Sequence, residues 1–147
     1  MSASNIRTLM NMFRTGIVDA IDPAAGTVRV VFPDKDDSIS EDLPLIASEY
    51  NMPEVGQTVF CLFLPNGVQE GICLGSFYSE ENRPPTSNPD LYVKKLDEGL
   101  SIEYNKKSKS LRIQAASPIT ISAPTVSVNG NLNVSGNITA GGTISGA

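Results

Sequence analysis

The last 22 residues of the chain repeat with a period of six, and this repeat limits the possible folds more than any other feature. The first residue of each hexad is aliphatic: Val126, Leu132, Ile138 and Ile144. The third residue is also apolar: Val128, Val134 and Ala140. The fifth residue is glycine: Gly130, Gly136 and Gly142. Alternate residues of an extended chain share a face, so each hexad predicts a short strand with one apolar face and a glycine corner. Apolar spacings of two and then four exclude an amphipathic helix.

A single chain does not stabilise such a segment by itself. Burial of its few aliphatic side chains returns less free energy than the conformational entropy lost when the backbone is fixed. The backbone groups of a lone repeat would also lie on open strand edges. Identical chains are the simplest source of partner strands, and three chains wound about one axis bring the aliphatic residues into a shared core. We therefore predict a homotrimer with an intertwined, triple-stranded β-helix at its C-terminal end.

The distribution of charge sets the same segment apart. The chain contains 16 Asp and Glu residues against 11 Lys and Arg residues, and its net charge is −5. Arg112 is the last ionisable side chain, and the 35 residues that follow it have none. An acidic chain is poorly suited to bind nucleic acid or an anionic membrane through bulk charge. Histidine is absent from the sequence.

The N-terminal half is typical of a small β-barrel. Five segments have the β-branched, aromatic and alternating residues of strands: 16–21, 27–32, 43–47, 58–64 and 69–78. The dipeptide Asn66-Gly67 predicts a two-residue hairpin loop. That loop would place Cys61 opposite Ile72, so the two cysteines of the chain are expected to be reduced core thiols without a disulfide. Five strands with glycines at their bends predict a closed barrel of the OB-fold type.

A short helix is expected to precede the barrel. Ser4 is a suitable N-cap residue. The apolar residues that follow have the spacing of one helix face: Ile6, Leu9, Met10 and Phe13. This stripe suits two roles, packing on its own domain or docking on a neighbouring protein.

The chain resembles the phage baseplate assembly protein V family, the central spikes of contractile tails and related injection machines. The motifs that carry the resemblance are Gly16 to Pro23, Gly26 to Phe32, Pro53 to Val59, and Gly71 to Tyr78 followed by Pro84-Pro85. Members of that family have an OB-fold barrel followed by a trimeric β-helix. The resemblance implies an all-β homotrimer, located in the tail baseplate of a virion or in a tailocin particle and assembled in the host cytoplasm.

On this basis we divide the chain into four parts. Residues 1–14 form an N-terminal helix or arm, 15–78 the OB-fold-like barrel, 79–91 a linker, and 92–147 the spike, with hexads over 126–147. Within the spike, Leu100, Ile102 and Tyr104 are expected to alternate inward before a turn over residues 105–110. The pattern is expected to resume with Leu111, Ile113 and Ala115.

The resemblance also implies partners. The barrel would attach to the baseplate hub protein, with Ile6, Leu9, Met10 and Phe13 as the docking residues. The C-terminal end would make transient contact with the membrane of the target cell. Because the His-X-His apex of many such spikes has no counterpart here, the trimer either lacks its apex, closes on itself, or is capped by a separate tip protein.

Two other classes of protein were considered. An OB-fold that binds nucleic acid needs a basic groove with stacking aromatic residues, whereas this barrel region is acidic and most of its aromatic residues are expected in the core. A hexapeptide-repeat acyltransferase also forms trimers, but such enzymes have more repeats and a catalytic histidine. We predict that the chain is not an enzyme, and we assign no catalytic residue, metal ligand or cofactor. It is expected to penetrate the cell envelope mechanically when a sheath contracts.

Overall fold

The computed structural model describes residues 2–65 and 70–146. The chain divides into two compact units, Met1–Ser87 and Asn88–Ala147. The described residues form one helix and several antiparallel sheet ladders, so the protein is essentially all-β. The division between the units falls inside the stretch that the sequence predicted as a linker, residues 79–91.

The N-terminal helix is capped two residues earlier than expected. Helix α1 spans Ala3–Met12, and Ser2 is its N-cap residue. The hydroxyl oxygen of Ser2 accepts a hydrogen bond from the backbone nitrogen of Asn5 at 3.3 Å. The prediction that Ser4 caps the helix was therefore wrong, because Ser4 already lies in its first turn. The helix ends where Phe13 adopts an extended conformation and the first strand begins.

The first unit contains a six-stranded antiparallel sheet. Its strands are β1 (Phe13–Asp22), β2 (Thr27–Phe32), β3 (Ser38–Ile39), β4 (Leu43–Pro44), β5 (Thr58–Phe63) and β6 (Gly71–Ser76). They are ordered β3-β2-β1-β5-β6, and β4 also pairs with β2. A 3-10 turn, Pro33–Lys35, connects β2 to β3. All five predicted strand segments contain strand, although the predicted 43–47 segment is reduced to two residues and β3 was not predicted.

Local sequence explains the hairpin between β1 and β2. The carboxylate oxygen Oδ1 of Asp22 accepts hydrogen bonds from the backbone nitrogens of Ala24 and Ala25, at 3.0 and 3.1 Å. Gly26 closes the turn with a φ of +67°, a left-handed conformation that glycine adopts without steric cost. The turn therefore fixes the register in which Asp22 faces Thr27.

The core of the first unit lies on one face of this sheet. Alternate residues of β2 and β5 point into it, as expected for strands with one buried face. The buried apolar residues are Val18, Val28, Val30, Phe32, Leu43, Val59, Cys61, Phe63 and Cys73. The rings of Phe32 and Phe63 meet edge to face, with centroids 5.7 Å apart. These two rings are the largest side chains that hold the sheet together.

The pairing of β5 with β6 corrects the predicted cysteine register. Cys61 lies opposite Cys73, whereas Leu62 lies opposite Ile72. Five residues separate the paired Leu64 and Glu70, rather than the two that a minimal hairpin loop would require. The predicted turn at Asn66-Gly67 itself lies outside the described residues. Both cysteines are buried and both thiols are free.

The two sides of the first unit approach each other near Cys73. Leu45, which follows β4, forms an isolated parallel bridge with Cys73 of β6. Because β4 pairs with β2, this single pair joins the β6 edge to the opposite side of the sheet. One bridge pair is less than a continuous ladder, so what is established is a curved antiparallel sheet.

The second unit begins with a three-stranded antiparallel meander. Its strands are β7 (Leu91–Lys95), β8 (Leu100–Asn105) and β9 (Ser110–Ala115). Side-chain caps close both turns: Asp97 accepts from the backbone nitrogens of Gly99 and Leu100, and Asn105 accepts from those of Lys107 and Ser108. The predicted reversal over residues 105–110 is confirmed.

The predicted inward alternation in this unit is not seen within one chain. Every residue of β8 is half-buried, and Leu111 and Ile113 of β9 are exposed. A three-stranded sheet has two open faces, so it has no inside until something covers one of them.

The core of the first unit generates a prediction. Phe32→Ala removes a ring that is 1% exposed, so we expect the free energy of unfolding to fall by about 3–5 kcal/mol. Tyr50→Ala is the matched control, because Tyr50 is 79% exposed and its loss should cost less than about 0.5 kcal/mol. Urea unfolding of the full chain, followed by far-UV circular dichroism, measures both values. Equal losses in the two variants would contradict the assignment of this core.

Candidate functional site

The candidate site is the uncharged segment, which we define as residues 113–147. Within its described part the hexad residues named by the sequence are all exposed: Val126, Val128, Leu132, Val134, Ile138, Ala140 and Ile144. Leu132 and Ile144 are 70% and 69% exposed. Ile119 and Ile121 add two further exposed aliphatic residues ahead of the repeat. The structure thus leaves a long row of apolar side chains without intrachain cover.

Beyond Ala116, the backbone of the described part of this segment is also unpaired within the chain. The last backbone hydrogen bond joins Ala116 to the carbonyl oxygen of Gly99 at 2.7 Å. From there to residue 146 the structure assigns no strand and gives no backbone hydrogen bond. Periodic aliphatic residues combined with unpaired backbone donors and acceptors are the properties of a strand that pairs with another chain.

The corner glycines differ from one another in the single chain. Gly130 has a φ of +147°, in the region that favours glycine. A Cβ atom added at Gly136 or Gly142 would meet nothing within 4 Å. Backbone conformation therefore explains only Gly130, and nothing within this chain explains why the other two corners lack side chains.

The N-terminal stripe is equally uncovered. The helix buries none of its residues, and Ile6, Leu9 and Met10 are 46%, 50% and 74% exposed. Phe13 is exposed at the start of β1, where its ring stacks on Phe60 with centroids 6.1 Å apart. Packing on its own domain is therefore seen for Phe13, whereas Ile6, Leu9 and Met10 remain exposed.

Sequence reasoning missed a larger apolar surface that continues from this stripe. We call it the outer apolar face, and it consists of exposed or half-buried residues on the solvent side of β1, β5 and β6: Phe13, Ile17, Phe60, Leu62, Ile72 and Leu74. A hollow of about 380 Å³ beside it is lined by Thr15, Phe60, Leu74, Gly75, Ser76 and Phe77. Contiguous exposed apolar surface marks an interaction site. The sequence of β5 contained a signal for this surface. The strand is apolar on both faces, although one apolar face is enough to pack against the core.

Arg14 was also missed, and it closes one end of the core. It lies between Phe13 and Thr15 on β1, so its side chain points to the opposite, core face of the strand. Its guanidinium carbon lies 5.3 Å from the ring centroid of Phe32 and 5.0 Å from that of Phe63. The buried Nε of Arg14 has no hydrogen-bond partner among the described residues. The two aromatic faces therefore provide its attraction.

The electrostatics of the first unit do not favour an anionic ligand. Residues 1–87 contain twelve Asp and Glu residues against five Lys and Arg residues. Arg29 is paired with Asp42 at 2.7 Å, and the hydrogen bond and charge of Asp42 raise the pKa of this arginine above its ordinary value. The expectation that most barrel aromatics lie in the core was wrong, because Tyr50, Phe77 and Tyr78 are exposed.

The chain matched no model of a known protein family, and it matched no curated protein at a significant level. Within the described ranges, no group of three or more His, Cys, Asp or Glu side chains is placed to hold a metal ion. None of the helices described is both long and apolar enough to span a bilayer. The uncharged segment and the two apolar surfaces of the first unit are the features of the described residues that bear on function.

These exposures generate a second prediction. Leu132→Asp combined with Ile138→Asp places carboxylates in the row of hexad aliphatic residues, where burial of charge is costly. We expect this variant to sediment as a single 15.6 kDa chain, while the wild type sediments as a larger species. Asn133→Asp combined with Thr139→Asp adds the same charge one residue further along, on the other face, and should sediment as the wild type does. Identical sedimentation of all three proteins would refute the predicted interface.

Proposed function

We propose that the chain is the central spike of a contractile injection apparatus, of the class represented by phage tail baseplates and tailocins. The observation that carries the proposal is the uncharged segment, with its six-residue period, exposed aliphatic row and unpaired backbone. In this proposal three copies associate over residues 92–147. Each copy contributes its intrachain meander β7-β8-β9, and the three chains intertwine as a triple-stranded β-helix beyond Ala116. In the same proposal the first unit is an OB-fold-like barrel that would close between β4 and β6, and the isolated bridge between Leu45 and Cys73 supports this closure.

The trimer would account for features that one chain leaves unexplained. Wound about a common axis, the three rows of hexad aliphatic residues form one core, and each strand finds neighbours for its backbone groups. Corners at Gly136 and Gly142, which face open space in the single chain, would face neighbouring chains. Leu111 and Ile113, exposed on one side of the meander, would be covered in the same way.

The mechanism we infer is mechanical. A sheath that contracts behind the spike pushes it forward, so the spike must resist bending and unzipping. A closed bundle in which each backbone donor and acceptor is paired meets that requirement. Its leading flank carries no charge, which matters because one charged side chain at the centre of a bilayer costs at least about 2.5 kcal/mol. A spike with an uncharged leading flank therefore meets a lower barrier as that flank enters hydrocarbon.

Attachment to the baseplate is assigned to the opposite end of the chain. The exposed stripe formed by Ile6, Leu9, Met10 and Phe13 and the outer apolar face are the surfaces we propose for docking on the hub protein. A separate tip protein is the proposed partner at the C-terminal end if the trimer does not close on Ile144. Baseplate location and assembly in the host cytoplasm follow from the same proposal.

The structure adds little support for a nucleic-acid-binding OB-fold or for an acyltransferase. Exposed Tyr50, Phe77 and Tyr78 supply rings for base stacking, but the unit that carries them is strongly acidic. A filter-binding assay with single-stranded DNA tests that reading, and we expect no retention at physiological salt. The acyltransferase reading still has no histidine to act as a base.

A third prediction tests the role of the missing charges. Asn137→Lys introduces a ring of three ammonium groups on the proposed spike, and it should reduce killing or infection by particles that contain it. Asn137→Gln is the matched control, because it changes length without adding charge and should leave activity intact. Electron microscopy first establishes that both variants assemble into complete particles. Full activity of assembled Asn137→Lys particles would show that an uncharged flank is not needed.

A further inference from the structure

The two cysteines of the chain face each other across neighbouring strands. Cys61 on β5 is directly opposite Cys73 on β6. The backbone nitrogen of Leu64 donates to the carbonyl oxygen of Glu70 at 2.8 Å, and hydrogen-bonded and non-hydrogen-bonded pairs alternate along an antiparallel ladder. Leu64 and Glu70 therefore form a hydrogen-bonded pair. Cys61 and Cys73 lie three pairs further along the ladder and form a non-hydrogen-bonded pair. Such pairs have Cα atoms about 4.5 Å apart, inside the range of about 4.4–6.8 Å that disulfides span.

Both thiols also point the same way. Cys61 and Cys73 are each 0% exposed and belong to the core cluster of the first unit. Each thiol is within hydrogen-bonding reach of the other. This hydrogen bond, together with burial, raises the pKa of Cys61. The same bond lowers the pKa of Cys73 to about 7, helped by the backbone of Gly75 and opposed by burial. Loss of one proton leaves a thiolate that accepts a hydrogen bond from the remaining thiol, and the directions of the two pKa shifts favour Cys73 as the site of that charge.

We propose that Cys61 and Cys73 form an oxidisable pair that closes as a cross-strand disulfide between β5 and β6 when the protein meets peroxide. Because both thiols are 0% exposed, peroxide would reach them only during local opening of the core. The Cys73 thiolate attacks one peroxide oxygen, the O–O bond breaks, and the hydroxide released takes up a proton to become water. The Cys61 sulfur then attacks the resulting sulfenic acid, loses its proton, and displaces a second water as the S–S bond forms.

The position of this bond defines what it does. It would close a covalent loop over residues 61–73 and tie the edge strand β6 to β5. Cys73 is also the residue that Leu45 bridges from the other side of the sheet. The link therefore lies where the first unit has the least continuous pairing, and it would resist separation of the sheet at that point. If the proposed function holds, the thiols stay reduced during assembly in the cytoplasm and close once particles are released.

Mass spectrometry of the full chain tests the pair without any substitution. The protein is treated with hydrogen peroxide, quenched, unfolded in urea with iodoacetamide, and weighed. We expect a chain that has lost two hydrogen atoms and takes up no alkyl group, and reduction with dithiothreitol should restore two alkylation sites. Two alkylated cysteines after peroxide treatment, or Cys73 oxidised to a sulfinic acid without a cross-link, would overturn the proposal.

Two further readouts separate a linked pair from accidental oxidation. The unfolding temperature of the oxidised protein should rise by roughly 5–15 °C and return to its original value with dithiothreitol. The rate of closure should increase as pH rises through about 7, where Cys73 ionises. Cys61→Ala and Cys73→Ala should abolish both effects. These outcomes do not depend on the number of chains in the assembly, so a disulfide in a monomeric protein would support the pair while removing the proposed spike.

Discussion

The unpaired backbone of the uncharged segment is the feature that most constrains how this protein can assemble. Beyond Ala116 the described chain has neither a strand nor a backbone hydrogen bond, yet its aliphatic residues recur every six positions. Water satisfies exposed donors and acceptors but gives no reason for that periodicity. The proposed core shared among copies of the chain would explain the period, the glycine corners and the absence of charge together. The same assembly would cover the open faces of the meander that precedes the segment.

The first unit differs from the uncharged segment because it buries a core of its own. Its core is completed within one chain by Phe32, Phe63 and the cysteine pair, and Arg14 covers the two aromatic rings at one end. Its strands nevertheless present apolar residues to solvent on the other side, continuous with an amphipathic helix that buries nothing. A unit with its own core and an apolar outer surface is suited to the docking that we propose. The core and the proposed docking surface thus lie on opposite faces of one sheet.

Local chemistry made much of this fold predictable. Alternating β-branched residues and the Asp22 to Gly26 turn located β1 and β2, and the apolar run after Gly56 located β5. The helix cap was misplaced by two residues because Ser2 and Ser4 are equally good caps by sequence. The cysteine register was missed because it depends on loop length and on a register shift beside Phe60, neither of which a local motif reveals. The inward alternation predicted for Leu111 and Ile113 is absent because a three-stranded sheet leaves both faces open within one chain.

Amide hydrogen exchange over residues 117–146 of the full-length protein tests the central claim most directly. The strands β1, β2 and β5 serve as the internal reference for protected amides in the same sample. If the segment obtains its hydrogen bonds from other copies, its amides exchange slowly, although the isolated chain offers them no acceptor. Exchange at the rate of an unstructured peptide, in a sample whose reference strands remain protected, would contradict the account.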